Sequence, residues 1–134
     1  MRHAVTPLTS VLREPRFRPA LVCAGVILLL TSWPRVPVVA VAGADKVVHL
    51  SMYGVFAFLT LGASRYPRSG SRLLLAWAAL AVFGGLDEWH QSFIPGRSAS
   101  VADWVADATG ALLGLLVAFR SSTPSLSRRD ASSS

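Results

Sequence analysis

Charge is scarce in this sequence. Only 15% of its 134 residues are Asp, Glu, Lys or Arg, 52% are hydrophobic, and mean hydropathy is positive at +0.49. That balance excludes an ordinary water-soluble globule and points to one membrane domain. Acids are scarcer still, 7 against 13 basic residues for a net charge of +6. The basic residues stand in short clusters beside apolar runs, not along one stripe, which argues against a nucleic-acid partner. With one cysteine, Cys23, no intrachain disulfide can form. Its place inside the first apolar run marks it as a packing residue. The chain also lacks an internal repeat and a glycine-rich phosphate loop, so no nucleotide is implied and no cofactor is expected.

What the chain has in quantity is apolar sequence, in four runs at Pro19–Trp33, Lys46–Ala63, Arg72–Leu86 (continuing as helix towards Phe93) and Val101–Phe119. A hydrocarbon core of about 30 Å takes roughly 20 helical residues. The second and fourth runs meet that length; the first is short, and the third reaches it only by including polar residues. The expectation is an all-α membrane protein of four transmembrane helices across residues 19–119. A basic segment, 1–18, precedes the helices and a Ser/Arg-rich disordered tail, 120–134, follows them. Placing both termini in the cytoplasm puts ten basic residues against two acids inside, and three against five outside. This is the excess that the positive-inside rule requires. Trp33, Trp89 and Trp104 then fall near the outer boundary, as an aromatic belt does. A second reading of the first run stays open: Leu21–Leu30 followed by Ala40–Ala42 resembles a signal peptide with a small-residue cleavage site.

The scarce charge is not scattered. Residues 84–114, GGLDEWHQSFIPGRSASVADWVADATGALLG, hold four of the seven acids together with a His, a Gln and an Arg. At about 100° per helical residue, Asp103, Asp107, Gly110 and Gly114 share one face within roughly 60°. Val101, Val105, Ala108, Leu112, Leu115 and Leu116 spread round the other side, expected to meet lipid. Asp45, His49, Tyr53, Phe56 and Thr60 share an arc on the second run. Gly84, Asp87, Glu88 and Gln91 do so at the end of the third. Charges inside a bilayer cost at least about 2.5–3.5 kcal/mol each near its centre, so such stripes face one another or water. The stripes therefore converge on one polar cluster at the outer face. Pro95-Gly96 supplies a turn, Arg97 a fork suited to carboxylate or phosphate, and Ser98 or Ser100 a cap for the fourth helix. The spacing of Gly110 and Gly114 permits close helix approach, with an oligomer as one use of it.

DKVVHLSMYG (Asp45, Lys46, His49, Tyr53) and DEWHQSFIPGRSASVADWVADATGALLG (Glu88, Gln91, Phe93, Pro95, Arg97, Ser100, Asp103, Asp107, Gly110, Gly114) together resemble the VanZ-like family of small bacterial membrane proteins. The resemblance covers roughly residues 20–119. It departs at Asp107, where many members carry Asn. It implies a multi-pass protein of a bacterial cell membrane, acting in envelope physiology and linked to tolerance of glycopeptide antibiotics, teicoplanin in particular. It does not imply a reaction.

Within that frame His49, Glu88 and Asp103 are the candidate catalytic groups, since a carboxylate beside imidazole can make it a general base. Asp45, Lys46, Tyr53, Gln91, Arg97 and Asp107 are the candidate ligand-binding groups, Arg97 and Lys46 for phosphate. Gly110 and Gly114 serve packing. His49, Asp45, Glu88 and Asp103 offer metal-ligating atoms without the short spacings of a metal motif, so no metal is expected. His90, off the Glu88/Gln91 face, is an interfacial residue. The partner expected is a membrane lipid or a lipid-linked cell-wall precursor. The alternative is a structural or assembly protein whose polar groups only fix helix register. A cysteine introduced at Ser98 should be labelled by an impermeant reagent from outside, and one at Ser69 should be protected; the reverse pattern overturns the orientation.

Overall fold

The computed structural model describes residues 14–34, 43–63 and 69–121. All the regular structure among them is helical: a 3₁₀ turn, Pro15–Phe17, then α1 (Arg18–Thr31), α2 (Ala44–Ala63), α3 (Gly70–Gln91) and α4 (Val101–Ser121). The tail beyond residue 121, the first 13 residues and the Ala40–Ala42 cleavage site lie outside the described residues.

The count of four spanning helices is corrected to three. Among the described residues α2, α3 and α4, with 20, 22 and 21 residues, are long and apolar enough to cross a membrane. α1 has 14 residues, a length of about 21 Å. Proline bounds it at both ends. Pro19 occupies the first turn, where a missing N–H costs nothing, and Pro34 follows the end, where it turns Trp33 away from helical geometry.

α2 and α4 share the most extensive contact, with α3 laid against α4 and α1 against α2. Glycine makes that first contact possible. A Cβ on Gly110 would run into the Leu50 backbone carbonyl, and one on Gly114 into that of Gly54. The two backbones therefore touch with no side chain between them. Both glycines face α2 of their own chain.

α3 and α4 are cross-braced by indoles. Trp77 Nε1–H donates to the Ala108 carbonyl and Trp104 Nε1–H to that of Ala81, each at 2.9 Å. Between the three helices lies a small apolar core of Ala57, Leu80, Ala111 and Leu115. Leu115, expected on the lipid face, is fully buried because α4 is covered on two sides, by α2 and by α3. Val101, Val105 and Leu112 are exposed as the helical wheel requires.

The molecule is inverted relative to a soluble domain. Val101, Leu75 and Leu74 are exposed, whereas Asp87 and Asp107 are among its most completely buried side chains. Gly110→Ala and Gly114→Ala should each destabilise the detergent-solubilised protein by at least about 1–3 kcal/mol, the usual cost of overpacking. Leu112→Ile should change its melting temperature little. Equal melting of all three overturns the glycine contact.

Candidate functional site

All four helices bring polar groups to the same end of the bundle. α1 and α3 finish there; α2 and α4 begin there. α4 starts where Ser100 caps it, its Oγ accepting from Asp103 N–H at 3.2 Å. The loop before it turns at Gly96, whose φ of 82° lies in the left-handed region that suits glycine.

The deepest part of the site is closed to solvent. His49 Nδ1 stands 2.9 Å from Asp107 Oδ1 and 3.9 Å from Glu88 Oε1. An ionised carboxylate only accepts, so Nδ1 carries a proton, and in the neutral imidazole Nε2 keeps the lone pair. Asp107 and Tyr53 are fully buried, and both Asp107 Oδ2 and the Tyr53 hydroxyl lack a hydrogen-bond partner among the described residues. Asp87 reaches the other way, its Oδ1 2.8 Å from the Thr31 hydroxyl. Gln91 Nε2 bridges Asp87 Oδ2 at 3.3 Å and Glu88 Oε1 at 3.4 Å. The second Glu88 oxygen accepts the Ser100 N–H at 2.7 Å, which ties the α3–α4 loop back onto α3.

Above this layer a cavity of about 400 Å³ is open to the outside. Asp45, His49, Gln91, Arg97 and Asp103 give it a polar wall; Leu30, Pro34, Val48 and Met52 give it an apolar one. Lys46 lies beside the cavity, its Nζ 2.8 Å from Asp45 Oδ2 and 3.0 Å from Asp103 Oδ1. Arg97 makes no ion pair among the described residues; Nη1 donates weakly to the Leu30 carbonyl at 3.4 Å. Five of the seven carboxylates, Asp45, Asp87, Glu88, Asp103 and Asp107, thus gather at one end with Lys46 and Arg97 as the fixed cations there among the described residues.

Every residue expected at the site is at this end, but in different roles. Asp45, His49, Gln91, Arg97 and Asp103 face the cavity. Tyr53 and Asp107 lie beneath it, fully buried and away from the cavity wall. Lys46 is held by two carboxylates instead of being presented to phosphate. His90 is exposed, as expected, its Nε2 3.2 Å from Ser32 Oγ. Two contributors had no assigned part, Thr31 and Asp87. Asp87 shares the polar arc of α3, which is the signal that could have found it. Thr31 follows a run of leucines at the end of the first apolar run and gives no such signal.

The VanZ/LLP1 family profile matches residues 6–122 of the chain. No curated protein and no solved structure matches it.

Removing one partner of the Thr31–Asp87 contact tests the inner layer. Thr31→Val should cost about 1–3 kcal/mol of stability, because it leaves a buried acceptor unmatched. Unfolding of the solubilised protein by denaturant measures it; no change would mean that α1 is not held through Asp87.

Proposed function

The chain belongs to the VanZ/LLP1 family, and from that premise we propose that it is a membrane protein that recognises the polar head of an amphiphile, with an anionic group held at Arg97. One observation carries this reading. Arg97 is a half-buried guanidinium on the wall of an open cavity, with its charge unmatched by any carboxylate among the described residues. Guanidinium binds phosphate through paired N–H donors, and the apolar wall of Leu30, Pro34, Val48 and Met52 suits the lipid portion next to such a head group.

The remaining polar groups divide between binding and support. Asp45, Gln91 and Asp103 are placed to accept from or donate to hydroxyls and amines of the head group. Lys46, Asp87, Asp107 and Thr31 are consumed in contacts between helices. These supporting contacts are where the reading of the cluster as helix glue applies, and they adjoin the cavity instead of replacing it. The acidic excess also selects against a simple anion: its negative charge must stay near Arg97, away from Asp45 and Asp103.

With the Arg120 end of α4 in the cytoplasm, the three spanning helices put the cavity at the outer leaflet, where lipid-linked precursors of a bacterial cell wall present such heads. A role in envelope physiology, including glycopeptide tolerance, follows from binding there. His49 with Glu88 and Asp103 would be the groups able to move a proton if the bound molecule is also altered.

Native mass spectrometry of the detergent-purified protein should show a retained amphiphile of one head-group class. Arg97→Gln should weaken that retention about tenfold to a hundredfold, the worth of a charged hydrogen bond, without lowering protein yield. Retention of no amphiphile, or retention indifferent to Arg97→Gln, overturns the proposal.

A further inference from the structure

Three of the site's side chains lie far apart in sequence and close together in space. One ring nitrogen of His49, one oxygen of Glu88 and one of Asp103 all fall within 4.8 Å of one another. They come from three different helices, which is why no short ligand spacing betrays them in the sequence.

We propose that His49, Glu88 and Asp103 form a binding site for a divalent first-row metal cation, of the Mn²⁺ or Zn²⁺ class. The donor set is one imidazole nitrogen and two carboxylate oxygens. That combination suits these ions better than Mg²⁺ or Ca²⁺, which take oxygen alone.

Three further observations point to a cation. His49 is only 7% exposed and lies on the cavity wall, yet Nε2 has no hydrogen-bond partner among the described residues. Its other nitrogen is held by Asp107, the buried carboxylate that orients a metal-binding imidazole and fixes its tautomer in known metal sites. Asp103 commits Oδ1 to Lys46, and its second oxygen accepts no hydrogen bond among the described residues. Finally, among the described residues five carboxylates at one end face two fixed cations, Lys46 and Arg97, so a divalent ion lowers the repulsion between those carboxylates.

The cavity above the three ligands leaves room for water or for an oxygen of a bound molecule to complete the coordination. Such an ion would offset two of those negative charges and so weaken the repulsion that an anionic head group meets at the acidic wall. The metal site itself does not depend on that reading, because its ligands are the protein's own side chains.

The full-length protein in detergent, stripped with a chelator and dialysed, is the material for the test. Titrated with Mn²⁺ and followed by electron paramagnetic resonance, it should bind one ion per chain. Zn²⁺ should displace that ion, and a tenfold excess of Ca²⁺ should not. Glu88→Gln and Asp103→Asn should each weaken Mn²⁺ binding at least tenfold, and Asp107→Asn about tenfold to a hundredfold through His49. Glu14→Gln, which removes a carboxylate away from the site, should leave binding unchanged. Melting without metal establishes that each variant folds. Asp103→Asn decides if the more buried substitutions do not, since Lys46 keeps its contact with Asp45. Absence of one-to-one binding, or equal binding by wild type and a folded Asp103→Asn variant, overturns the site. Amphiphile retention measured in chelator separates the two readings: retention without metal binding removes only this inference, and metal binding without retention removes only the head-group proposal.

Discussion

The whole arrangement rests on the backbone contact between α2 and α4. Where Gly110 and Gly114 meet Leu50 and Gly54, two helices approach more closely than any side chain would permit. That closeness sets the register of everything one turn away. His49 precedes Leu50 on α2, and Asp107 stands three residues before Gly110 on α4. Their 2.9 Å contact is therefore a direct product of how near the two axes lie. Gly84 continues the same device on α3, where Asp107 and Tyr53 pack against the space that a side chain would fill. Lipid tails offer no hydrophobic drive for helices to associate, so close packing and polar contacts must supply it. Here they occupy the same few turns.

Burying acids in an apolar layer is costly, and the chain meets that cost with partners drawn from three helices and the α3–α4 loop. Thr31 comes from α1, His49 and Lys46 from α2, Gln91 from α3, and the Ser100 N–H from the loop before α4. This explains why a helix too short to span is retained. α1 places Thr31 against Asp87 and the Leu30 carbonyl beside Arg97, so it closes one side of the polar end. Its short length is compatible with that task because the task needs only its last turn.

Much of this was legible in the sequence. Helical periodicity gathers Asp45, His49 and Tyr53 on one face and Asp103, Asp107 and the two glycines on another, because an amphipathic stripe survives as a repeat whatever it packs against. The Ser100 cap and the Gly96 turn were legible for the same reason, being local. What was hidden depends on the partner. Nothing in α4 alone reveals that Leu115 is covered by a third helix, that Gly54 faces Gly114, or that Lys46 spends its charge on Asp103. Apolar length also overstated α1, since a hydrophobic run counts residues that Pro34 removes from the helix. The convergence of His49, Glu88 and Asp103 was concealed by chain separations of 39 and 15 residues.

The two tiers of the site lead to different expectations about what its residues do. Asp107, Tyr53 and Asp87 are sealed from the cavity, so they can affect a ligand only by moving His49, Gln91 or a helix. Arg97 and Asp45 stand at the cavity and contribute little to holding the helices together beyond the weak Leu30 contact and the Lys46 pair. Under the proposed function, loss of function at the first group carries a structural component, whereas at the second it reports on recognition. His49 belongs to both tiers, anchored below by Asp107 and open above through Nε2. It is the point at which the glycine contact between α2 and α4 is converted into the shape and charge of the cavity wall.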